Sequence, residues 1–388
     1  MNTKWNWILG PLLLSTILSV LVTSSGCKKD DSIPTANAEK MTFGKIIYQT
    51  VELDSRLPNT AALYSINLDN SDYLISSLLL GTHYFRISPN GKTIAYIDFP
   101  LPFPAYGGVF EIHSLGIDGG TDIVVKKLFC RQIATCDWSP DNGSIAFDYY
   151  PIGGSWGIMT MNRDGSDFKV ITDTLKHILS LFPRWSPDGA NIACQSEDAS
   201  TEASLSMPDS LVILSPSGSN RRALTRSAER ALSHWSPDGK KIAYFDFKTS
   251  YTELWIVDLL CPATATCVIP PEGQMFLPYS LQWLPDNRIV CVAKNIKDTT
   301  YSIDIVPANQ FGDVREIANG FRGDNDVYSS PSVLCSPDGQ TIAVFGNRNK
   351  VGLSLYVMKT DGSELQLVKI IDYSQTASVI PGRCQWIK

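Results

Sequence analysis

The sequence predicts an all-β protein, a seven-bladed β-propeller built from four-stranded blades. Three observations support this prediction: a strand–turn–strand line recurs six times, a second strand–turn–strand line recurs seven times, and the two together supply four strands per unit. Repeats of short alternating strands at this length are typical of propeller blades, because a helical solenoid would show a 3.6-residue period instead.

The first line is represented by HWSPDGKKIAYFDF, which begins at His234. Its Trp, or the residue equivalent to it, falls at positions 87, 138, 185, 235, 283 and 335, so that successive copies are 47 to 52 residues apart. Pro presets φ in a turn, Asp suits the next position, and Gly or Asn tolerates the left-handed conformation that follows. We therefore interpret the SPDG element as a hairpin corner rather than as a catalytic Ser–Asp pair.

The second line is represented by GIMTMNRDGSDFKVIT from Gly157, two alternating strands around a polar turn. The first of its seven copies has no innermost strand before it, because the repeats begin at FGKIIYQTVEL. The missing strand is found at the other end of the chain, where PGRCQWIK places Trp386 51 residues after Cys335. We expect the strands within residues 45–80 and residues 383–388 to form one blade jointly, which closes the ring and removes two exposed strand edges.

The repeated W-S-P-D-G-x-x-I-A line resembles the TolB-type, WD-repeat-like propeller repeat, which is shared with the propeller domains of prolyl oligopeptidase relatives. The resemblance covers residues 42–388. TolB itself resembles a propeller of six blades with an additional N-terminal domain. Neither the blade count nor that domain matches here, so the resemblance implies the fold without the specific role of TolB.

Residues 1–26 have the composition of a signal peptide, with Lys4 followed by an apolar stretch at 8–22 that is too short for an ordinary membrane span. The SSGC element ending at Cys27 resembles the lipobox of bacterial lipoproteins, although Ser24 stands where an aliphatic residue is usual. This resemblance implies cleavage before Cys27 and acylation of that residue; a plain secretory signal is the alternative. Residues 27–41 resemble the charged tethers of Bacteroidetes-type surface lipoproteins, which implies an outer-membrane lipoprotein facing the periplasm or the cell surface.

The formal charge of −6 argues against a nucleic-acid partner, because phosphate binding requires clustered Lys and Arg. The cysteine usage fits an oxidising compartment. Cys130 with Cys136, and Cys261 with Cys267, have the same short separation, and we predict that each pair forms a loop-stapling disulfide.

The residue before each aligned Trp position should point toward the channel, since side chains alternate along a strand. Six of the seven such residues are polar: Arg86, Asp137, Arg184, His234, Gln282 and Gln385. They either satisfy hydrogen bonds and water in the central channel or form a ligand site there. The aligned Trp residues themselves, Trp138, Trp185, Trp235, Trp283 and Trp386, are interpreted as packing between blades.

The loops joining second to third strands vary most and share one face with the blade-to-blade connections. We call this the loop-rich face, and we call the face with the SPDG corners the corner face. Aromatic residues are concentrated in two loops of the loop-rich face: Phe99, Phe103, Tyr106, Tyr149, Tyr150 and Trp156. These side chains either bind a partner protein or glycan, or fold back over the edges of the blades.

The leading hypothesis is a noncatalytic, monomeric, lipid-anchored propeller without cofactor or metal, which binds an envelope protein or glycan through the loop-rich face. The second hypothesis is a polysaccharide lyase or hydrolase acting at the channel mouth, and the third is an envelope scaffold without a small ligand. The GGSWG element around Ser155 matches G-x-S-x-G, but it is predicted to lie between two strands of one sheet. A nucleophile elbow requires a strand leading into a helix, so we do not assign catalysis to Ser155.

Overall fold

Short runs of β-branched and aromatic residues, separated by Pro, Asp, Asn and Gly, form seven antiparallel sheets in this protein. The structure is a computed structural model that describes residues 44–52, 60–67, 72–78, 84–98, 107–172, 179–196, 210–225, 233–247, 252–277, 280–307, 313–322, 330–348, 353–371 and 377–387. Cys27, Phe99, Phe103 and Tyr106 lie outside these described residues.

Each sheet is one blade, numbered here in chain order. Blade 1 contains β1 (Lys45–Glu52), β2 (Thr60–Asn67), β3 (Asp72–Leu78) and β29 (Ala377–Ile387); blade 2 contains β4 (Tyr84–Ile87), β5 (Thr93–Asp98), β6 (Gly108–Gly116) and β7 (Ile123–Cys130); blade 3 contains β8 (Cys136–Trp138), β9 (Ser144–Tyr149), β10 (Gly157–Asn162) and β11 (Lys169–Val170); blade 4 contains β12 (Ser180–Trp185), β13 (Ile192–Ser196), β14 (Ser210–Leu214) and β15 (Arg222–Ala223).

The other three blades follow the same antiparallel order. Blade 5 contains β16 (Ser233–Trp235), β17 (Lys241–Phe247), β18 (Thr252–Asp258) and β19 (Thr266–Val268); blade 6 contains β20 (Gln274–Phe276), β21 (Gln282–Trp283), β22 (Ile289–Asn295), β23 (Thr300–Val306) and β24 (Arg315–Arg322); blade 7 contains β25 (Ser332–Cys335), β26 (Thr341–Gly346), β27 (Ser354–Lys359) and β28 (Gln366–Ile370). In blade 6 the innermost strand is divided, because β20 and β21 both pair with β22.

The two ends of the chain meet in blade 1, as the repeat count predicts. The C-terminal strand β29 pairs antiparallel with β1, and Trp386 lies opposite Ile46 in the register. Strand β29 begins at Ala377, earlier than the predicted start at residue 383, so the joint blade contains more of the C-terminus than the repeat alone indicated. The pairing closes the ring and confirms the seven-bladed propeller.

The innermost strands contact one another in a closed cycle, from β4 through β8, β12, β16, β21, β25 and β29 back to β4. Apolar side chains of neighbouring blades fill the space between the sheets. Phe110 and Ile112 of blade 2, for example, pack with Trp138 and Phe147 of blade 3 in one buried cluster. The hydrophobic core is therefore distributed around the ring as a series of inter-blade clusters, and each blade is stabilised by both of its neighbours.

The SPDG elements form the predicted hairpin corners. In blade 5 the Ser236 hydroxyl donates to Asp238 Oδ1 (2.7 Å) and accepts the backbone N–H of Lys241 (2.9 Å). Gly239 closes this turn at φ +69°, in the left-handed region that favours glycine. Burial acts to raise the pKa of Asp238, but the hydrogen bond from the Ser236 hydroxyl and the other contacts of the carboxylate lower it overall. The Ser–Asp pair is thus a structural element of the turn.

Helical structure is confined to one 3₁₀ turn, Pro262–Thr264, within the described part of the chain. No helix among those residues has the length and apolar character needed to cross a membrane.

Candidate functional site

The predicted channel residues lie on the innermost strands. Arg86 is on β4, Asp137 on β8, Arg184 on β12, His234 on β16, Gln282 on β21 and Gln385 on β29. Arg184 Nη2 donates to the hydroxyl of Tyr84 (2.8 Å), which joins blade 4 to blade 2. These two blades are separated by blade 3 in the ring, so the contact crosses the region near the propeller axis.

Two guanidinium groups share the ring of Tyr84. The Arg86 guanidinium carbon lies 4.8 Å from the ring centroid and that of Arg184 lies 5.9 Å from it. Arg184 is only 8% exposed, and its Nη1 also donates to the carbonyl of Pro183 (3.3 Å). Both cations are therefore held by an aromatic face at the centre of the ring.

Asp137 is the only carboxylate among the seven innermost-strand positions. Its Oδ1 lies 3.8 Å from Arg86 Nε, and its Oδ2 accepts the backbone N–H of Trp185 (2.8 Å). Burial raises the pKa of Asp137, and the charges of Arg184 and Arg86 oppose that increase. The seven innermost-strand positions thus carry two guanidinium groups and one carboxyl group.

His234 contributes no compensating charge. Burial, together with the nearby charges of Arg184 and Arg86, lowers the pKa of His234 to about 3. The imidazole is therefore neutral at physiological pH, and it can act as one hydrogen-bond donor and one acceptor.

Two of the predicted channel residues also join neighbouring blades. Gln385 Oε1 accepts the backbone N–H of Ile87 (2.7 Å), and Asp137 makes the equivalent contact with Trp185. In both pairs, the side chain of one innermost strand binds the backbone of the next strand around the ring. This arrangement favours the structural interpretation for Gln385, and it gives Asp137 a structural contact in addition to its charge.

The aligned Trp side chains follow a second inter-blade pattern. Indole Nε1 groups donate to the carbonyl of the channel residue in the preceding blade: Trp138 to Arg86 (3.1 Å), Trp235 to Arg184 (3.0 Å) and Trp283 to His234 (3.0 Å). The interpretation of these residues as packing between blades agrees with these contacts. Trp185 departs from the pattern, because its Nε1 is buried without a hydrogen-bond acceptor.

A cavity of about 400 Å³ opens beside these groups on the corner face. Its lining consists of Pro89, Trp138, Pro140, Arg184, Trp185, Ser186, Pro187, His234 and Trp235. All three prolines belong to SPDG-type corners, which places the cavity at one end of the channel. The leading hypothesis placed binding on the opposite face, whereas Arg184 and His234 were candidates for a ligand site in the channel; the Pro and Trp residues of the lining were interpreted only as turn and packing residues.

On the loop-rich face, the described aromatic residues fold back to different extents. Trp156 is buried (4% exposed) and stacks on Tyr150 with 5.2 Å between ring centroids, while Tyr149 packs against the cluster between blades 2 and 3. Trp156 therefore does not present its ring to solvent as the partner-binding hypothesis required. Ser155 beside it is also buried, in the connection between β9 and β10, with a strand rather than a helix after it.

An exposed cation and two exposed apolar residues surround this aromatic pair. The Arg131 guanidinium lies 5.3 Å from the centroid of Tyr150. Phe129 is 65% exposed and Ile152 is 49% exposed. We call Phe129, Arg131, Tyr150 and Ile152 the blade 2–3 surface. Their sequence context, in an outer strand and a Gly-rich loop, gave no specific indication that they would be near one another.

A buried carboxylate fixes the backbone behind the blade 2–3 surface. Asp148 Oδ1 accepts the backbone N–H groups of Ala134 (2.9 Å) and Thr135 (2.8 Å), and Oδ2 accepts that of Phe182 (3.2 Å). The segment that follows Arg131 is thus tied to β9 and to the start of blade 4.

The Cys130–Cys136 and Cys261–Cys267 disulfides stay predictions. Cys130 and Cys136 are packed in one core cluster between blades 2 and 3. Burial raises the pKa of both thiols to about 12.

Of the four histidines, the structure describes His113 and His234. His113 lies in a polar cluster that no sequence motif indicates: its Nδ1 is 3.1 Å from Asp122 Oδ1, and its Nε2 is 3.3 Å from Glu111 Oε2. Tyr96 donates to Asp122 in the same cluster. Among the residues that the structure describes, no group of three His, Cys, Asp or Glu side chains could hold a metal ion.

Comparison with known proteins adds a relative and similar folds; no family model matches the chain. The Tol-Pal system protein TolB of Francisella tularensis is 24% identical over 270 residues, which are 69% of this chain and 58% of that protein. The chain thus spans less than two thirds of the length of that relative. TolB from Acinetobacter baumannii has a similar structure, with a TM-score of 0.50 and 17% identity over 88% of this chain and 82% of that one. An oligogalacturonate lyase in complex with manganese has a TM-score of 0.53 and 12% identity over 78% of this chain and 85% of that one.

The seven sheets and the pairing of the two chain ends define a β-propeller with a polar axis. It is a TolB-like propeller: the resemblance expected from the repeated line is confirmed by the TolB relative and the TolB fold. The lyase has the same general fold at low identity, and that similarity concerns the fold alone.

Proposed function

We propose that this protein is a noncatalytic, monomeric outer-membrane lipoprotein that binds another protein of the cell envelope through the blade 2–3 surface. The similarity to a Tol-Pal system protein supports an envelope role. The lipobox-like element before Cys27 supports the lipid anchor. The single observation that carries the binding proposal is the stack formed by Arg131, Tyr150 and Trp156.

The stack has three layers of increasing burial. Arg131 is exposed, Tyr150 is half-buried and Trp156 is buried beneath it. Arg131 Nη1 donates to the Tyr150 hydroxyl (3.4 Å), and the backbone N–H of Arg131 donates to the Tyr150 carbonyl (2.8 Å). Arg, Tyr and Trp are the residue types that contribute most binding energy at protein interfaces. Because these side chains are already positioned, a partner would lose little conformational entropy by ordering them.

Exposed apolar area next to the stack fits a protein partner. Phe129 and Ile152 would each lose water contact on binding, while Arg131 would supply the polar edge of the interface. The predicted aromatic residues Phe99, Phe103 and Tyr106 fall between β5 and β6 in the sequence, outside the described residues. We propose that this connection extends the surface.

A pull-down from envelope extract tests the proposal. The double variant Phe129→Asp/Ile152→Asp places charge on the surface, and Leu260→Asp is the matched control, because Leu260 is 84% exposed in a turn of the corner face. We expect wild type and the control to enrich the same envelope protein. The double variant should capture at least about tenfold less of it.

Equal capture by the double variant and wild type would contradict binding through this surface. Turnover of acidic oligosaccharides by the purified protein would contradict the noncatalytic assignment and would favour the lyase or hydrolase hypothesis.

A further inference from the structure

We propose that the cavity on the corner face binds a carboxylate ligand with an apolar body, through the guanidinium of Arg184 and the indole N–H of Trp185. This site is on the opposite face from the blade 2–3 surface and does not depend on protein binding there. Three observations support it: a surplus of cations at the innermost-strand positions, an unused hydrogen-bond donor and apolar walls.

The charge observation concerns the centre of the ring. Among the seven innermost-strand positions, Arg86 and Arg184 are cationic, Asp137 is the one carboxylate, and the others are His234, Gln282, Leu334 and Gln385. A buried cation without a counter-charge is costly, and an anion that enters its environment removes that cost. The excess of one positive charge among these seven positions favours a monoanion over a dianion such as phosphate.

The donor observation concerns Trp185. Trp138, Trp235 and Trp283 each use the indole N–H in a bond to the preceding blade, whereas Trp185 lines the cavity and its N–H has no acceptor. The contact between blades 3 and 4 at this point is made by the Asp137 side chain, which accepts the backbone N–H of Trp185 and leaves its indole N–H unused. A buried N–H without a partner costs free energy that a ligand oxygen would recover.

The walls define the rest of the ligand. Trp138 and Trp235, with Pro140 and Pro187, present flat apolar surfaces, and the volume of about 400 Å³ is in the range of small-molecule sites. An aromatic or aliphatic carboxylate matches these walls. The carboxylate could belong to a free acid or to the C-terminus of a peptide, because both present the same group.

Ligand-observed NMR titration with phenylacetate tests the proposal, and phenylacetamide provides a neutral ligand of nearly the same shape. We expect saturable binding of phenylacetate and at least about tenfold weaker binding of phenylacetamide. A short peptide ending in phenylalanine, with a free or an amidated C-terminus, distinguishes the sources. Tighter binding of the free-acid peptide than of phenylacetate would identify a chain terminus, and the reverse order would identify a free acid.

A pair of matched variants identifies the donor. Trp185→Phe keeps an aromatic ring but removes the N–H, and we expect about tenfold weaker binding of phenylacetate with little change in thermal stability. Trp283→Phe removes an indole N–H that is already bonded to His234 and is outside the cavity lining, so it should keep the affinity and lose stability. Failure of phenylacetate to bind, equal binding of the acid and the amide, or unchanged affinity in Trp185→Phe would overturn the proposal.

Discussion

Replacing Asp304 with Asn should change the way stability depends on pH. Asp304 lies on β23, is fully buried (0% exposed) and faces Glu316 of β24 in the strand register. Burial raises its pKa from the ordinary 3.8 to about 6; the Glu316 carboxylate adds to the increase and the Ser302 hydroxyl opposes it. Asn has nearly the same shape and cannot ionise, so the substitution isolates the cost of the charge.

The sign follows from the order of the two pKa values. Between the ordinary pKa and the raised pKa, the unfolded chain has lost the proton of Asp304 while the folded protein retains it, so rising pH favours unfolding. A difference of about two pKa units corresponds to about 3 kcal/mol. The wild-type protein should therefore lose about 3 kcal/mol of stability relative to Asp304→Asn as pH rises from about 4 to above about 6.

Urea denaturation of both proteins across this pH range measures the effect. We expect the stability difference to grow with pH in favour of Asp304→Asn and to level off above about pH 7. Any constant cost of burying the amide shifts the whole curve without changing its slope. Asp164→Asn provides a control of opposite sign, because the Ser166 hydroxyl lowers the pKa of Asp164. A stability difference between wild type and Asp304→Asn that stays flat with pH would refute the reasoning.

Three further predictions concern the closure of the ring and the anchor. Deleting residues 383–388 removes Trp386 from the cluster between blades 7 and 1 and should cost at least about 3 kcal/mol. Unchanged thermal unfolding of that truncation would contradict closure by β29. Gln385→Ala removes the acceptor for the Ile87 N–H and should cost about 1–2 kcal/mol in urea denaturation, whereas an unaltered midpoint would show that this bond does not stabilise the ring. Cys27→Ser should yield a soluble, unacylated protein on membrane fractionation, and continued membrane partitioning would rule out the lipid anchor.

The blade count and the closure could be predicted from the sequence because both depend on local, periodic chemistry. Each SPDG corner folds through hydrogen bonds within a few residues, as the Ser236–Asp238 contact illustrates, so each copy of the line identifies one hairpin. The position of Trp386 in the series then fixed which strand completes blade 1. Only the start of β29 was misplaced, because residues 377–382 carry no part of the repeated line.

The binding features could not be predicted in the same way, because they depend on which side chains meet across the ring. Arg184 contacts Tyr84 although 100 positions separate them, and neither residue indicates the other in the sequence. The free indole N–H of Trp185 is likewise invisible in the alignment, where Trp185 is identical to its neighbours. Cysteine spacing is limited in a related way, since it gives separation along the chain but not the direction in which buried side chains point.

Differences between equivalent positions therefore carry the functional information in this propeller. The innermost strands of blades 2, 3 and 4 carry Arg86, Asp137 and Arg184, whereas the later blades carry neutral groups at the same position. The cavity opens on the corner face beside blades 2, 3 and 4, which carry these charges. The blade 2–3 surface lies on the loop-rich face of two of the same blades. Seven nearly equivalent sheets supply a rigid frame. The charge on three of them distinguishes one side of the axis from the other, and a bound carboxylate would compensate it there.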